Sequence, residues 1–551
     1  MISLSEADTI GTALLKAAGT HSDRPLICVP AAADRDDYPQ GDEITFEQTV
    51  TRVRELAQTY TDAGYGPGHR VALHLENRPE HLLHKLALNS LGVCIVPINR
   101  DYLDNEIAYL VNHAKVDLIV HLNKFKATLV RVSKDATHEP LMCSLEGWGT
   151  ELKTPKTRKQ DVMPHAAMAA SILYTSGTTG RPKGCVLSHR YELAAGAWYA
   201  QQGHLATIKP GEDRLYNPLP LFHVNASILS FFCMMLTGGC QIVPDRFQTS
   251  SWWRDIAQCR ATIVHYLGVI IPMLLNQKPD PYASEHQVRF GYGAGVEPQL
   301  HAAFEKRFGF PLLEIWGMTE IVRTLVANKS PRQVGTRAFG KARLGLDVMV
   351  ADEQGRPVAP YQAGEMLVRH SEATPRKDFF TAYLDDPIAT EQAWAHGWFH
   401  TGDIVTQDES GMLHFVDRHK NIIRRAGENI AAAEIEALLL THPAIEQVAV
   451  IAVPDEIREA EVMAVVVLKP DNRSATELGG PRATPREQAQ EIQAFCLTQL
   501  AYFKAPGWVH FTDDIPKTGT QKIQKHRIFG SGEDPRQHQD SVDVRATKTR
   551  R

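Results

Sequence analysis

The feature that most restricts the fold is an alternation. Short β-branched runs such as RVALHL (Arg70 to Leu75) and VCIVPI (Val93 to Ile98) recur between helical patterns such as EQTVTRVRELAQTYTDAG (Glu47 to Gly64). Strands separated by helices join in parallel, so the chain reads as α/β layers. From about Ala342 the texture shifts to short strands and turns, DVMVADEQGRPV and GEMLVRH, which predicts a β-rich subdomain on the same body. After the charged cluster Asp417 to Arg425 a new α+β pattern begins, with the helix AAAEIEALLLTH, the strands VAVIAV and EVMAVVVLK, and a helix near Glu491 to Leu500. These shifts predict a large N-terminal domain over 1–417, a hinge in the charged cluster, and a small mobile C-terminal domain over 418–530. Residues 531–551 lack large aromatics and apolar periodicity, which predicts a disordered tail.

Composition narrows the function classes. With 59 basic and 64 acidic residues the formal charge is −5, so nothing general draws the chain to nucleic acid or anionic lipid. The eight cysteines are scattered without a C-x-x-C pair, as expected of buried thiols in a reducing compartment. The start, MISLSEADTIGTALLKAAG, reads as a capped amphipathic helix and not as a secretion signal. The most apolar stretch, Thr262 to Leu275, contains His265 and Pro272 and is shorter than the roughly 20 residues that span a bilayer. A soluble cytoplasmic protein with no membrane span is expected.

One segment carries most of the chemistry. In SILYTSGTTGRPKG (Ser171 to Gly184) an apolar strand runs into a loop dense in hydroxyls and glycines that ends on Lys183. Such a loop brings backbone N–H groups, hydroxyls and an ammonium onto polyphosphate. The Walker spacing G-x-x-x-x-G-K-[ST] is missing, and a plain Ser/Thr/Gly turn is the bland alternative. Further along, GYGAG (Gly291 to Gly295) misses a dinucleotide fingerprint because Val296 stands where the last glycine belongs. The chain has no G-x-S-x-G elbow and no H-E-x-x-H, which argues against hydrolase and zinc-protease chemistry.

YTSGTTGRPKG resembles the phosphate-loop signature of the adenylate-forming superfamily, which includes acyl-CoA synthetases, peptide-synthetase adenylation domains and luciferases. The superfamily's other signatures follow in order over Ser171 to Lys525: PLFHVN, GYGAG, EIWGMTE, GWFHTGD, DRHKNIIRRAGENI and IPKTGTQKIQK. The texture is most similar to carnitine/crotonobetaine, fatty-acid and coumarate CoA ligases. The resemblance implies that Thr175, Ser176, Gly177, Thr178, Thr179 and Gly180 cradle phosphate, with Lys183 on the phosphate oxygens. It puts His223 beside the acyl pocket and Gly293, Ala294 and Gly295 under adenine. Within Glu314, Trp316, Gly317, Met318, Thr319 and Glu320, it stacks Trp316 on adenine, sets Thr319 at the α-phosphate and gives Glu320 to Mg²⁺. Asp403 and Arg418 correspond to ribose contacts, Lys420 to the hinge, Gly427 to the loop facing CoA and Lys522 to the catalytic lysine of the small domain. Taken singly, Trp316 reads as a core aromatic, Asp403 as a turn cap and Lys420 as a linker residue. Ala426, Ala432 and Gln521 depart from the family pattern.

The implied activity is an AMP-forming acid–thiol ligase. A carboxylic acid and ATP give acyl-AMP and pyrophosphate, and coenzyme A then displaces AMP, with one active site alternating between two domain orientations. Three alternatives stay open: an adenylation enzyme loading a carrier protein, a luciferase-like oxidase, and a non-catalytic nucleotide-binding regulator. A homodimer also stays open. Arg289 and Arg323 flank GYGAG and WGMTE, so a guanidinium at the acyl pocket would favour a short polar or dicarboxylic acid over a medium-chain or aryl one. Both could equally be structural arginines.

Overall fold

The computed structural model describes residues 1–32, 35, 37–134, 139–175, 182–418, 421–425, 428–455, 458–470, 484–500, 502–517, 523–530 and 532–548. Compactness divides the chain into Met1–Val348 with Val368–His400, and Met349–Leu367 with Thr401–Arg551.

The large unit holds two sheets. In the first, the strands run in the order Ala382–Tyr383, Lys183–Ser188, Ala169–Thr175, Cys94–Pro97, Arg70–His74, Leu118–His121 and Leu141–Ser144. The last five are joined in parallel, as the alternating pattern requires. Alternate residues of these strands bury into two separate cores, Ala72 and Val96 on one face and Leu73 and Ile95 on the other. Burial on both faces explains why the strands read as continuous apolar runs. The second sheet runs Ile321–Val326, Leu312–Met318, Phe290–Ala294, Ile263–Leu267, Arg214–Tyr216, Cys240–Ile242, Pro25–Val29 and Asp42–Thr45, parallel inside and antiparallel at both ends.

Local signals set the helix ends. Thr45 and Gln48 form a reciprocal capping box at the start of helix Phe46–Ala63, and Gly64 closes it at φ 98°, a left-handed geometry that glycine adopts without Cβ strain. Thr9 caps helix Ile10–His21 in the same way. The apolar stretch from Thr262 divides into the strand Ile263–Leu267 and a helix, Ile270–Leu275, with Ile270, Ile271 and Leu274 buried. Among the described residues no helix is long and apolar enough to cross a membrane.

In the smaller unit Ile445–Asp455 and Glu459–Leu468 form a long antiparallel pair. Helices Ala432–Leu439 and Pro485–Gln499 pack Ile435, Leu439, Ile492 and Cys496 against its Val448, Val462 and Val466. Ala432 occupies the first helical position, so the helix forms without the proline usual in the family signature.

The expected disordered tail is corrected here. Ser541–Asp543 is a strand paired antiparallel with Trp508–Phe511, and Val544 is buried in the core of the unit. Gln493 Nε2 donates to the Val544 carbonyl at 2.8 Å, Arg545 lies 4.9 Å from the Trp508 ring centroid, and Lys548 Nζ is 2.6 Å from Glu461 Oε1. Two apolar side chains, Val542 and Val544, and long-range polar contacts order the segment, and neither leaves a periodicity in the sequence.

Candidate functional site

The motif residues of the large unit gather at strand ends. Thr175 closes one strand and is the register partner of Lys183, which opens the next. The Thr175 hydroxyl and the buried Cys185 thiol meet at 4.0 Å. Leu312–Met318 and Ile321–Val326 form a hairpin whose two-residue turn is Thr319 and Glu320. That turn is tied from three sides. Tyr191 Oη donates to the Thr319 carbonyl at 2.6 Å, the Phe380 N–H to the Glu320 carbonyl at 3.1 Å, and Tyr383 Oη to Glu320 Oε1 at 2.9 Å. Tyr383 also places its ring under Lys183, whose Nζ lies 4.7 Å from the ring centroid. Burial first, then the Glu320 charge, pushes the Tyr383 hydroxyl pKa up, which keeps it a donor.

On the neighbouring strand, Gly293 has no room for a side chain: a Cβ would fall 2.2 Å from the Tyr266 carbonyl oxygen. Gly295 sits at φ +88°. Its N–H donates to Glu314 Oε2 at 2.9 Å, while Tyr266 Oη donates to Glu314 Oε1 at 2.7 Å. The Glu314 carboxyl is therefore spent on shaping the Gly293–Gly295 backbone, and burial raises its pKa to about 7 against those hydrogen bonds. Trp316 is buried, opposite Leu325 across the hairpin and 6.4 Å from the Phe339 ring; Gly317 is exposed and Met318 half-buried.

His223 is half-buried two residues before a π-helix, Asn225–Ser230. Its carbonyl accepts from the Ser227 N–H at 3.3 Å and Ser227 Oγ at 3.0 Å. The wide turn is pinned by Asn225 Oδ1, which lies 2.6 Å from His265 Nδ1 and 2.9 Å from Asn217 Nδ2. Irregular turns of this kind concentrate at functional sites.

In the smaller unit Asp403 and Arg418 are cross-strand partners, and Arg418 Nε approaches the buried Asp403 Oδ1 at 2.7 Å. Ser176, Gly177, Thr178, Thr179, Gly180, Lys420, Gly427 and Lys522 lie outside the described residues, as do Ala426 and Gln521.

Arg289 and Arg323 take the structural role left open for them. Arg289 Nη2 donates to both Asp213 carboxylate oxygens at 2.7 Å and to the Thr207 carbonyl, while Arg323 pairs with Asp378 at 2.6 Å and donates to the Gly345 carbonyl. Both guanidiniums face internal partners, so neither singles out a polar acid over a medium-chain or aryl one. The structure also adds residues that the motifs did not flag: Tyr383, Tyr191 and Tyr266 hold the turn and the glycine strand. Only a tyrosine ahead of the Asp385-Asp386-Pro387 turn hints at the first.

Residues 15–375 match the sequence profile of the AMP-binding enzymes, and residues 434–522 match that of the AMP-binding enzyme C-terminal domain. This chain belongs to the AMP-binding enzyme family. It is 29% identical over 503 residues to a crotonobetaine/carnitine–CoA ligase of Proteus mirabilis, covering 88% of this chain and 93% of that protein. Among solved structures, ATP-bound MatB from Rhodopseudomonas palustris superposes with a TM-score of 0.77 at 24% identity, covering 94% of this chain and 98% of MatB. The o-succinylbenzoate CoA synthetase of Bacillus subtilis, bound to its acyl-adenylate, superposes with a TM-score of 0.77 at 22% identity, covering 96% and 99%. Both structures share the fold of this chain, a large α/β part followed by a smaller α+β part.

Proposed function

We propose that this AMP-binding enzyme is a carboxylic acid–CoA ligase working in two steps through an acyl-adenylate. The observation that carries the reading is the convergence of Lys183, Glu320 and Thr175 at adjoining strand ends, with Tyr383 touching the first two. In the first step the substrate carboxylate attacks the α-phosphorus of ATP in line and pyrophosphate leaves. In the second the CoA sulfur attacks the acyl carbonyl and AMP leaves. Negative charge develops on oxygen in both, so catalysis is positioning and electrostatics, with no protein nucleophile.

Thr175 and the loop Ser176 to Gly180 receive the polyphosphate, Lys183 and Lys522 the α-phosphate oxygens, and Thr319 the same phosphate from the hairpin turn. Gly293 to Gly295 and Glu314 to Met318 border adenine, with Trp316 as the stacking face. Asp403 and Arg418 take the ribose hydroxyls, His223 borders the acyl group and Gly427 faces CoA. The described residues contain no group of three or more His, Cys, Asp or Glu that could hold a metal. A single carboxylate, Glu320, fits Mg²⁺ whose remaining ligands are phosphate oxygens and water. When bound, that ion neutralises charge on the triphosphate.

The large domain up to residue 417 and the small domain from 418 onward, terminal strand Ser541–Asp543 included, alternate between the two steps by turning about Lys420, because Lys522 must leave the phosphate before CoA enters. Half-reaction assays test this reading. Lys522→Ala should abolish acyl-AMP formation yet still turn supplied acyl-AMP and CoA into thioester. Lys420→Pro should form adenylate and stall, because proline fixes φ at the pivot. Equal loss of both steps in both variants would contradict alternation. The acid is found with a panel assayed for pyrophosphate release, carnitine and crotonobetaine included. Thioester formed with free CoA separates a ligase from an enzyme that loads a carrier protein.

A further inference from the structure

Tyr383 touches two groups of the proposed ATP site at once. Its hydroxyl donates to Glu320 Oε1 at 2.9 Å, and its ring face meets the Lys183 ammonium at 4.7 Å. Its backbone is fixed on both sides. Ala382 and Tyr383 pair antiparallel with Val186 and Cys185, the Leu384 N–H donates to the Gly184 carbonyl at 2.7 Å, and the Tyr383 N–H donates to Thr390 Oγ1 at 2.9 Å. Thr390 is in turn anchored on the Asp386 carbonyl at 2.8 Å. The neighbouring Phe380 ring lies 4.8 Å away, so the tyrosine stands in a packed, nearly fully buried slot.

A carboxylate and an ammonium brought to adjoining strand ends attract one another strongly at low dielectric, and direct pairing would cancel the charges that nucleotide and cation need. An aromatic hydroxyl solves this geometrically. Its oxygen occupies one carboxylate lone pair with a fixed direction, and its π-face offers the ammonium a resting place that leaves all three N–H donors free to turn.

We propose that Tyr383 is a positioning residue of the adenylation step, orienting Glu320 through its hydroxyl and seating Lys183 on its ring so that the two charges are presented separately. The inference rests on the reading that Glu320 and Lys183 serve the ATP site, and it adds a residue outside the signatures quoted above.

The test splits the two contacts using the full-length enzyme without acid, so that no turnover occurs. Tyr383→Phe keeps the ring and removes the hydroxyl, whereas Tyr383→Leu removes both. Mn²⁺ binding to the enzyme–ATP complex is read by electron paramagnetic resonance, and metal-free ATP binding by calorimetry. Tyr383→Phe should weaken Mn²⁺ about 10-fold or more and leave metal-free ATP binding within about twofold, the effect of losing one hydrogen bond to a charged group. Tyr383→Leu should in addition weaken metal-free ATP about 3-fold or more, the loss of an aromatic seat for the ammonium. If Tyr383→Phe binds Mn²⁺ like wild type while Glu320→Ala does not, the positioning role is overturned and the site reading stands. If Glu320→Ala binds Mn²⁺ like wild type, the site reading itself fails and the inference with it.

Discussion

Glu314 and Glu461 are both buried carboxylates, one in each unit, and the protein accommodates them in opposite ways. Glu314 is held by uncharged donors, the Tyr266 hydroxyl and the Gly295 N–H, and burial lifts its pKa to about 7. Glu461 is held by cations: Arg425 Nε lies 2.9 Å from both oxygens and Lys548 Nζ 2.6 Å from one, the latter also donating to the Phe503 carbonyl. Two cations face one carboxylate, and burial drives the Lys548 pKa down to about 8. Neutral donors shape a backbone, here the glycine strand proposed to lie under adenine, without committing local charge. Ionic clamps instead knit the smaller unit together, tying residues 425, 461 and 548 across strand, strand and terminal segment.

Of the substitutions at these two carboxylates, Glu461→Gln should have the larger effect. It removes the carboxylate that the buried Arg425 and Lys548 share, and breaking a buried ion pair costs about 3–5 kcal/mol. Hydrogen exchange of the Glu459–Leu468 strand should accelerate accordingly, while the large-unit strands keep their protection. Equal acceleration in both units would show that the clamp does not belong to the smaller unit alone.

Glu314→Gln should cost less, about 1–3 kcal/mol, because an amide oxygen still accepts from one of the neutral donors. Its signature is pH dependence. The folded state holds the Glu314 proton up to about 7 whereas the free side chain releases it near 4.5, so the folded state binds the extra proton between those values. Stability contributed by this group is therefore present below that window and falls as pH rises through it. Thermal scans across the window should show a smaller slope in Glu314→Gln, and an unchanged slope would remove Glu314 as its source.

Lys548→Met should give the smallest effect and one of opposite sign. The folded lysine releases its proton near 8 and the free one near 10.5, so between these values the unfolded state binds more protons and stability from this group rises with pH. The groups facing it are Glu461, Arg425 and Arg458. Loss of that alkaline rise in the methionine variant checks the assignment.

Much of the fold is legible from residues acting locally. Thr45, Gln48 and Gly64 mark both ends of their helix, and two-faced apolar runs mark the parallel strands. The backbone shape of two motifs is legible too, because the glycines of GYGAG mark a close backbone approach and WGMTE runs into a tight hairpin turn. Contacts made across long separations are not. Arg289 looks available for a substrate until Asp213, 76 positions away, is brought against it. Lys548 lies 87 positions from Glu461, and Tyr383 lies 63 from Glu320. A three-residue strand such as Ser541–Asp543 is too short to show a period, so its order comes from partners and not from its own pattern.

We propose that the hairpin turn at Glu320 serves nucleotide chemistry and not merely the fold. Acid-dependent exchange of labelled pyrophosphate into ATP measures this directly, because it reports acyl-adenylate formation without CoA. Glu320→Ala, with circular dichroism and thermal midpoint matching wild type, should lose exchange by about 10²-fold or more, the effect of removing one preorganised electrostatic group. Near-wild-type exchange by Glu320→Ala at limiting Mg²⁺ would contradict the account.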